Sequence, residues 1–379
     1  MPDDDHRPPS AAPAASPDAA LPAAGATALQ LVVDGEVVQA QPGETLLDVA
    51  RRRGVIVPTL CHDDRLHPTG ACRMCLVESS DSRRLVPACR HPVAEGLQVQ
   101  TDSERVQRHR RALLALYQAD QPEAVVPGSE LDRWMRRYGV AAGVPALENQ
   151  RQGRPDDDNA FIRFQPERCI LCARCTRYCD EVEAVAAIGI GHRGPQTTVV
   201  TAEMRGLLDT SCELCGGCVD TCPTGALVEN KALPRQMELA DLPTVRTTCG
   251  YCGVGCQMDL TVDREKGEIV RVASPPPGTT TNDGNLCVKG RFATGYVGHR
   301  DRLTTPLVRD HATGELVPTD WETALDRATA SLRGVAARHG AHALGFISSS
   351  RATNEENYLV QKLARAAFGT NNCHQCAAT

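Results

Sequence analysis

The sequence is poor in aromatic residues, which make up only 3% of its 379 residues, so its cores lack the bulkiest side chains. It has no apolar run of about 18 residues, which argues against a membrane-spanning segment. It also has no basic excess, since 41 Lys and Arg stand against 47 Asp and Glu, a net charge of −6. That balance argues against a nucleic-acid partner. At roughly 100 to 200 residues per domain, the length allows about two to four domains.

The chain also lacks any recognisable export signal. Residues 1–27 are acidic and rich in Pro and Ala, and they predict a disordered tail. The predicted compartment is therefore the reducing cytosol, where clustered cysteines usually serve metal or redox chemistry. Cysteine is abundant, with 18 residues, although none lies between 90 and 168. Sixteen of them form four sets of four, which draw on three different spacings.

The most specific pattern is C-x2-C-x2-C-x3-C, which occurs at 169–179 and again at 212–222. Three thiolates within seven residues can bind three corners of one 4Fe-4S cubane, whereas the fourth serves the neighbouring cluster. Zinc is disfavoured because it prefers two separated C-x2-C pairs. In each predicted group, the fourth ligand comes from the other run. Numbered by position in the chain, these groups are the second set, with Cys169, Cys172, Cys175 and Cys222, and the third set, with Cys212, Cys215, Cys218 and Cys179.

The first set has the spacing C-x10-C-x2-C-x13-C. Its members are Cys61, Cys72, Cys75 and Cys89. Ahead of it, Asp34-Gly35 predicts a hairpin turn, and residues 44–53 predict a helix that Gly54 ends. This arrangement resembles the β-grasp 2Fe-2S domain of the large iron–sulfur subunit of respiratory NADH dehydrogenase and of NAD-linked formate dehydrogenase. A zinc site is the alternative, because C-x2-C alone also suits zinc.

The fourth set has the spacing C-x2-C-x3-C-x30-C. Its members are Cys249, Cys252, Cys256 and Cys287. The long final gap contains a predicted β unit over 258–274. The set resembles the N-terminal 4Fe-4S domain of molybdopterin oxidoreductases. The resemblance implies that Lys289, two residues after the last ligand, lies between cluster and pterin as an electron relay; the alternative is an ordinary surface lysine.

Residues 305–379 predict the beginning of an α/β domain. Asp320 is expected to cap a helix that ends near Gly340, and His342–Ser349 is expected to form a buried strand. A capping box at Thr353 begins a further helix that ends at Gly369. The helix, strand, helix order predicts a parallel sheet, and this stretch resembles the start of the pterin-binding region in formate dehydrogenases.

Two segments lack an expected function. Members of the large-subunit family carry a His-x3-Cys-x2-Cys-x5-Cys cluster near 106–155, but this chain has no cysteines there. We expect a helical remnant in which His109 is solvated, and the electron route past it is left open. Gly189 to Gly194 match G-x-G-x-x-G, but Pro195 and a predicted strand at 197–201 follow instead of a helix, so we expect a loop. The predicted apolar face of the remnant comprises Val106, Leu113, Leu114, Leu116 and Tyr117.

The last residues carry a further resemblance. Formate dehydrogenases have Cys-Ala-x-x directly before a catalytic cysteine or selenocysteine, and Cys376 to Thr379 match that motif. The match places the catalytic residue immediately after Thr379. Our hypothesis is a reading frame cut at a UGA codon that encodes selenocysteine; an incomplete fragment is the alternative. Cys373 and Cys376, which belong to no set, are expected to be ordinary buried thiols.

These features predict an α+β multidomain chain. The predicted segments are a disordered tail (1–27), a β-grasp 2Fe-2S ferredoxin domain (28–105), a helical remnant of the His/Cys cluster domain (106–155), a bacterial-type 2×4Fe-4S ferredoxin domain (156–235), a 4Fe-4S molybdopterin oxidoreductase domain (236–304) and the truncated start of an α/β pterin-binding domain (305–379).

The resemblance implies the catalytic (alpha) subunit of a cytoplasmic, NAD-linked formate dehydrogenase. Its cofactors would be one 2Fe-2S cluster, three 4Fe-4S clusters and, at full length, molybdenum or tungsten bis(molybdopterin guanine dinucleotide). Its partner would be a flavin- and NAD-binding iron–sulfur subunit of the diaphorase type. Residues 1–379 alone would carry electrons without oxidising formate. The alternatives are the large iron–sulfur subunit of NADH-quinone oxidoreductase and a hydrogenase electron-transfer subunit.

Overall fold

The computed structural model describes residues 28–122, 124–140 and 159–376. The predicted tail over 1–27 and the part of the predicted helical remnant from 141 onward lie outside the described residues. The described helices are α1 (Leu46–Arg52), α2 (Glu104–Ala119), α3 (Glu130–Arg137), α4 (Arg174–Arg177), α5 (Gly217–Asp220), α6 (Val288–Phe292), α7 (Trp321–His339) and α8 (Asn354–Lys362). Within these ranges, none is both long and apolar enough to cross a membrane.

The strands form one five-stranded sheet and several small ones. They are β1 (Leu29–Val33), β2 (Glu36–Ala40), β3 (Leu76–Ser79), β4 (Ser82–Pro87), β5 (Gln98–Gln100), β6 (Ile162–Phe164), β7 (Gly189–Gly191), β8 (Thr198–Val200), β9 (Leu227–Glu229), β10 (Thr244–Thr248), β11 (Gln257–Asp263), β12 (Glu268–Ala273), β13 (Leu307–Arg309), β14 (Leu316–Pro318), β15 (Phe346–Ser349) and β16 (Cys373–Cys376).

The first sheet has the order β2-β1-β5-β3-β4, with β1 and β5 parallel. The predicted hairpin is confirmed, because Asp34 and Gly35 join β1 to β2 with φ values of 50° and 89°. The predicted helix is confirmed too, although it begins at Leu46. Thr45 caps it, since its hydroxyl accepts from the Asp48 amide while the Asp48 carboxylate accepts from the Thr45 amide. The apolar residues of α1 are buried and share one core with the sheet.

The segment α2–α3 packs beside the first set. Val106 and Leu114 are buried as predicted, but Leu116 is 61% exposed, so its place on the apolar face was wrong. The buried residues of α2 instead include Arg110, whose guanidinium donates to the carbonyl oxygens of Met74 and Leu76 at 3.3 Å each. A long basic side chain can be buried in this way when main-chain oxygens satisfy it.

The predicted loop at 189–194 is partly wrong, because Gly189–Gly191 form β7, which pairs antiparallel with β8. A Cβ on Gly191 would lie 2.6 Å from a Val200 methyl carbon, so the glycine allows this close cross-strand contact. The described residues that follow β7 lead into β8 without an α-helix, in agreement with the rejection of a dinucleotide site. Val199 of β8 belongs to the buried cluster that contains Cys169 and Cys175, and β6 and β9 also pair antiparallel.

The C-terminal part follows most of its predictions. The β unit inside the fourth set is confirmed as β11 and β12, which β10 extends to three strands. Asp320 caps α7 and Gly340 follows its last residue, and a capping box at Thr353 begins α8. The predicted strand over 342–349 was too long, since 341–343 form a 3-10 turn. It was also wrongly predicted as buried: β15 pairs in parallel with β16, but its Ile347 is 76% exposed.

Candidate metal centres

The structure gathers the cysteines of the second and third sets around two separate pockets. One pocket is lined by all four members of the second set, with Phe164 and Pro223 beside them. The other is lined by all four members of the third set, with Tyr178 and Glu183 beside them. In each pocket, three cysteines come from one run and the fourth from the other run. The grouping in space is therefore the crossed one that the spacing predicts.

Both cysteine runs wrap their pockets with the same backbone geometry. Leu171 and Leu214, each two residues after the first cysteine of a run, have φ values of 55° and 56°. Ala173 and Gly216, each one residue after the second cysteine, have φ values of 58° and 72°. Left-handed conformations are costly for residues with a Cβ, so the loops hold strain that the surrounding packing must offset. A short helix then follows each loop, α4 in one case and α5 in the other.

The left-handed turns aim main-chain amides at sulfur. The amide of Leu171 donates to the Cys169 Sγ at 3.4 Å, and the amide of Leu214 donates to the Cys212 Sγ at the same distance. The Cys179 Sγ accepts from the Ala187 amide at 3.3 Å. Such N–H to sulfur bonds stabilise thiolates and are among the features that tune cluster potentials.

The two middle thiols of each run, Cys172 and Cys175 in one and Cys215 and Cys218 in the other, are held in surroundings that raise their pKa values. Burial, and then the neighbouring thiols of the same set, raise the pKa of Cys172 to about 12. Burial likewise raises the pKa of Cys215 to about 12. Four thiolates gathered in one pocket repel one another, which is unfavourable unless positive charge neutralises them. An iron–sulfur core, which binds thiolates, supplies that positive charge.

The first set also comes together, at the edge of the five-stranded sheet. All four cysteines are buried. A thiol hydrogen bond from Cys72 lowers the pKa of Cys61 to about 5 and raises that of Cys72 itself. Cys75 and Cys89 form a second such pair, in which the pKa of Cys75 is raised and that of Cys89 is lowered. Two adjoining pairs thus place four sulfurs next to one another.

The fourth set is more open than the others. Cys249 is buried, Cys256 is partly buried, and Cys252 and Cys287 are exposed. Burial raises the pKa of Cys256, and so do the other three sulfurs of its set; Cys256 also packs against the core cluster that contains Cys249. Lys289 lies on α6, two residues after Cys287, and its side chain is exposed. The predicted place of Lys289 between cluster and pterin, and its role as a relay, stay predictions.

The segment α2–α3 connects the first set to the second. Leu114 and Leu131 belong to one buried cluster that also contains Cys61, Cys72 and Cys172. The Tyr117 hydroxyl donates to the Cys72 carbonyl oxygen at 2.9 Å. Burial, and then the nearby sulfurs of the first and second sets, raise the pKa of Tyr117. The two sets are therefore separated by side chains of this segment and packed against one core.

Arg291 on α6 connects the third set to the fourth. Its fully buried guanidinium donates to the Cys215 carbonyl oxygen at 3.2 Å and to the Val272 carbonyl oxygen at 3.0 Å, and it pairs with Asp220 at 2.7 Å. A Cβ on Gly216 would lie 2.6 Å from the Arg291 Nε. Arg291 thus occupies the space beside Gly216, in the loop that follows Cys215.

The cysteine environments fit iron–sulfur clusters. Each iron of a 4Fe-4S cluster takes its own cysteine thiolate, so the four cysteine sulfurs surround a volume instead of a point. The second and third sets line such volumes with apolar walls, and amides point at their sulfurs. Among the residues that the structure describes, no three His, Cys, Asp or Glu side chains converge where one metal ion could bind. Cys373 is partly buried, and the Cys376 side chain lies outside the described residues.

Sequence reasoning missed the buried charged and aromatic residues that join the sets. Arg174 on α4 is buried, and its Nη1 donates to both carboxylate oxygens of Glu130 on α3. Tyr178 is buried, and the Arg65 guanidinium lies over its ring at 4.8 Å. The sequence offered one signal for these two residues, because Arg174 lies directly before Cys175 and Tyr178 lies directly before Cys179. Their partners lie far away in the sequence, so spacing alone could not identify them.

Glu229 at the end of β9 gives a prediction for pH dependence. Its buried carboxylate accepts from the Val272 amide at 3.1 Å. Burial raises its pKa to about 7, although Arg291 and Arg271 act in the opposite direction. A folded-state pKa above the unfolded value means that its stabilising effect is complete below about pH 4.5 and is lost as the pH rises through about 7.

We therefore expect the free energy of unfolding of the wild-type chain to fall by roughly 1–3 kcal/mol between pH 5 and pH 8. We expect Glu229→Gln to remove this decrease. Anaerobic urea unfolding at several pH values measures this loss. The matched control is Glu265→Gln, since Glu265 is exposed in the turn between β11 and β12. Equal pH profiles for the wild-type and Glu229→Gln chains would contradict the prediction.

Comparison with known families places four matches along the chain. Residues 26–104 match a 2Fe-2S iron-sulfur cluster binding domain, and residues 159–228 match the ferredoxin-like domain of NADH-quinone oxidoreductase subunit 3. Residues 242–299 match the molybdopterin oxidoreductase Fe4S4 domain, and residues 302–379 match the molybdopterin oxidoreductase family. The matches fall on the regions that contain the four cysteine sets and on the region that follows them.

Curated relatives match along nearly the whole chain. The chain is 36% identical to the alpha subunit of NADPH-Fe(3+) oxidoreductase from Geobacter sulfurreducens, over 91% of this chain and 40% of the relative. It is also 36% identical to an NADH-quinone oxidoreductase subunit from Rhizobium meliloti, with the same coverage. A putative formate dehydrogenase from Staphylococcus haemolyticus is 29% identical over 92% of this chain and 39% of the relative. The chain thus spans about two fifths of the length of these relatives.

A solved structure is also similar. The crystal structure of an NAD+-reducing NiFe hydrogenase in the H2-reduced state matches with 30% sequence identity and a TM-score of 0.47. The match covers 53% of this chain and 87% of that one.

Proposed function

This chain is of the molybdopterin oxidoreductase type with 2Fe-2S and 4Fe-4S domains, and from that premise we propose that it is the iron–sulfur part of the catalytic subunit of a formate dehydrogenase. In this proposal, the first set holds a 2Fe-2S cluster and each of the other sets holds a 4Fe-4S cluster. The whole protein would add a bis(molybdopterin guanine dinucleotide) of molybdenum or tungsten. A flavin- and NAD-binding partner subunit would exchange electrons with it in the cytoplasm.

The observation that supports electron transfer most strongly is that the four sets adjoin one another. The first and second sets share a buried cluster, and Arg291 joins the third set to α6 beside the fourth. The pockets of the second and third sets also adjoin, because Phe164, Val199 and Leu227 line both of them. When bound, iron–sulfur clusters exchange single electrons, and a molybdopterin centre exchanges two with its substrate.

The chain's own residues would hold the clusters in place and keep water away. Cysteines supply the ligands, main-chain amides donate to their sulfurs, and the apolar residues of the helices close the pockets. Lys289 supports this proposal, because it lies two residues after the last cysteine of the fourth set, within the match to the molybdopterin oxidoreductase Fe4S4 domain. The resemblance of residues 376–379 to the sequence that precedes a catalytic cysteine or selenocysteine supports the same proposal.

A second candidate is a subunit that receives electrons from NADPH or NADH and passes them to another acceptor. The observation in its favour is sequence identity, which is 36% to the NADPH-Fe(3+) and NADH-quinone oxidoreductase subunits but 29% to the putative formate dehydrogenase. Both candidates use the same four sets. They differ in the compound that reduces the clusters, which is formate in the first candidate and NADPH or NADH in the second.

The test uses the complete protein complex, purified anaerobically through a tag on this subunit. Formate is added to one sample and NADH or NADPH to others, and cluster reduction is followed by EPR. We expect formate, added without NADH or NADPH, to reduce the clusters within the turnover time. Reduction by NADH or NADPH in a complex that never responds to formate would contradict the proposal and favour the second candidate.

A variant of Lys289 sharpens this test. Lys289→Met keeps the length of the side chain and removes its charge. We expect it to slow formate-dependent cluster reduction at least about tenfold, as the loss of one well-placed charged group does, and to leave NADH-dependent reduction unchanged. Lys266→Met is the matched control, because Lys266 is exposed in the β11–β12 turn. Equal rates in both variants would contradict a relay role for Lys289.

A further inference from the structure

Tyr117 occupies a place that neither the cysteine pattern nor the family matches assign. It lies on α2, in the segment that carries no cluster ligands in this chain. Its ring packs against the buried cluster that contains Cys61, Cys72 and Cys172. Its hydroxyl donates to the Cys72 carbonyl oxygen at 2.9 Å. The Tyr117 phenol therefore contacts Cys72 of the first set and packs on a cluster that also contains Cys172 of the second set.

The Cys72 main chain is central to the hydrogen bonding of the first set. The Cys72 amide donates to the Cys61 Sγ at 3.4 Å, and the Leu60 amide donates to the Cys72 Sγ at 3.4 Å. A group that holds the Cys72 carbonyl oxygen thus fixes the main chain on the C-terminal side of a residue that carries one of the four sulfurs and whose amide donates to another. Partners of this kind orient the ligands and tune the metal.

We propose that Tyr117 is a positioning residue for the cluster of the first set, and that its hydroxyl raises the reduction potential of that cluster. The inference rests on the proposed 2Fe-2S cluster at this set. Reduction adds one negative charge, which the partly negative Cys72 carbonyl oxygen opposes. The Tyr117 hydroxyl neutralises part of the charge on that oxygen, so the reduced state becomes more favourable.

The test compares reduction potentials in the full chain, expressed anaerobically and titrated with EPR detection. Tyr117→Phe removes the hydroxyl and keeps the ring. At a fixed electrode potential near the wild-type midpoint, we expect the ratio of reduced to oxidised 2Fe-2S cluster to fall roughly two- to tenfold, since a buried hydrogen bond contributes about 0.5–1.5 kcal/mol. The 4Fe-4S signals are expected to shift less.

Tyr138→Phe is the matched control. Tyr138 packs on the same buried cluster, but its hydroxyl accepts from the Arg110 guanidinium at 2.9 Å instead of contacting a ligand residue. We expect no shift of the 2Fe-2S potential in that variant. A second probe is 3-fluorotyrosine at position 117, a stronger donor, which is expected to move the potential in the opposite direction from Tyr117→Phe.

The outcomes separate the inference from the function on which it rests. A wild-type chain without a 2Fe-2S signal contradicts the proposed function itself. A wild-type signal whose potential is unchanged in Tyr117→Phe contradicts only the inference. So does a shift of equal size in Tyr138→Phe, or a shift of the same sign for phenylalanine and 3-fluorotyrosine. A Tyr117→Phe chain that loses the 2Fe-2S signal but keeps the others also contradicts it, because the hydroxyl would then be required for binding.

Discussion

A chain that carries Cys222→Ala and Cys172→Ala together is expected to lose about four irons, no more than either single variant loses. The reason is the crossed grouping. Cys222 follows Cys212, Cys215 and Cys218 in the sequence, but its side chain lines the pocket of Cys172. Two changes at one cluster cannot remove that cluster twice.

The contrasting double variant is Cys222→Ala with Cys215→Ala. These residues lie in one run of the sequence, but they line different pockets. We expect this chain to lose about eight irons, because each change removes a different 4Fe-4S cluster. Iron analysis with an EPR spin count measures the losses. The reverse result, four irons lost by this pair and eight by Cys222 with Cys172, would show that each run holds its own cluster.

Gly217→Ala is expected to destabilise the chain by about 3 kcal/mol or more, which is at or above the upper end of ordinary overpacking effects. A Cβ at this position would lie 1.9 Å from the Tyr178 Cε1 atom. The Gly217 amide also donates to the Cys215 Sγ at 3.4 Å, so a shift of this backbone disturbs a ligand of the third set. Loss of the third-set cluster should accompany the loss of stability. Anaerobic urea unfolding and iron analysis measure the two effects.

Two further chains make the Gly217 result specific. Gly189→Ala is the control, because a Cβ there meets nothing within 4 Å. It should cost less than about 1 kcal/mol. Adding Tyr178→Leu to Gly217→Ala should recover part of the loss, since the clash is with the Tyr178 ring; a double-mutant cycle gives the coupling. Additive effects of the two changes would contradict the close contact.

The local elements of the fold were largely predictable because their signals lie within a few residues. Asp34-Gly35 predicts its hairpin turn, and Thr353 and Asp320 predict the starts of α8 and α7, because the caps act over one helical turn. The errors occur where the outcome depends on distant partners. Leu116 fits an apolar face by its spacing, yet it is exposed. Arg110 is buried instead, because the carbonyl oxygens of Met74 and Leu76 accept its hydrogen bonds.

The candidate sites show the same division between local and distant information. Cysteine spacing predicts which thiols come together, including the crossed fourth members of the second and third sets, because ligand geometry limits the possible loops. Spacing says nothing about Arg291, whose partners are a carbonyl in the third-set loop and another at the end of β12. Nor does it predict that the segment without ligands places Tyr117 against Cys72. That the gathered cysteines bind iron stays a prediction.

The most direct test of the account is the iron and acid-labile sulfide content of the chain, prepared anaerobically and reconstituted. One 2Fe-2S and three 4Fe-4S clusters predict about 14 irons and about 14 sulfides per chain. The spectra should contain both cluster types. Stoichiometric zinc in place of iron, or a folded chain that binds neither iron nor sulfide, would contradict the account.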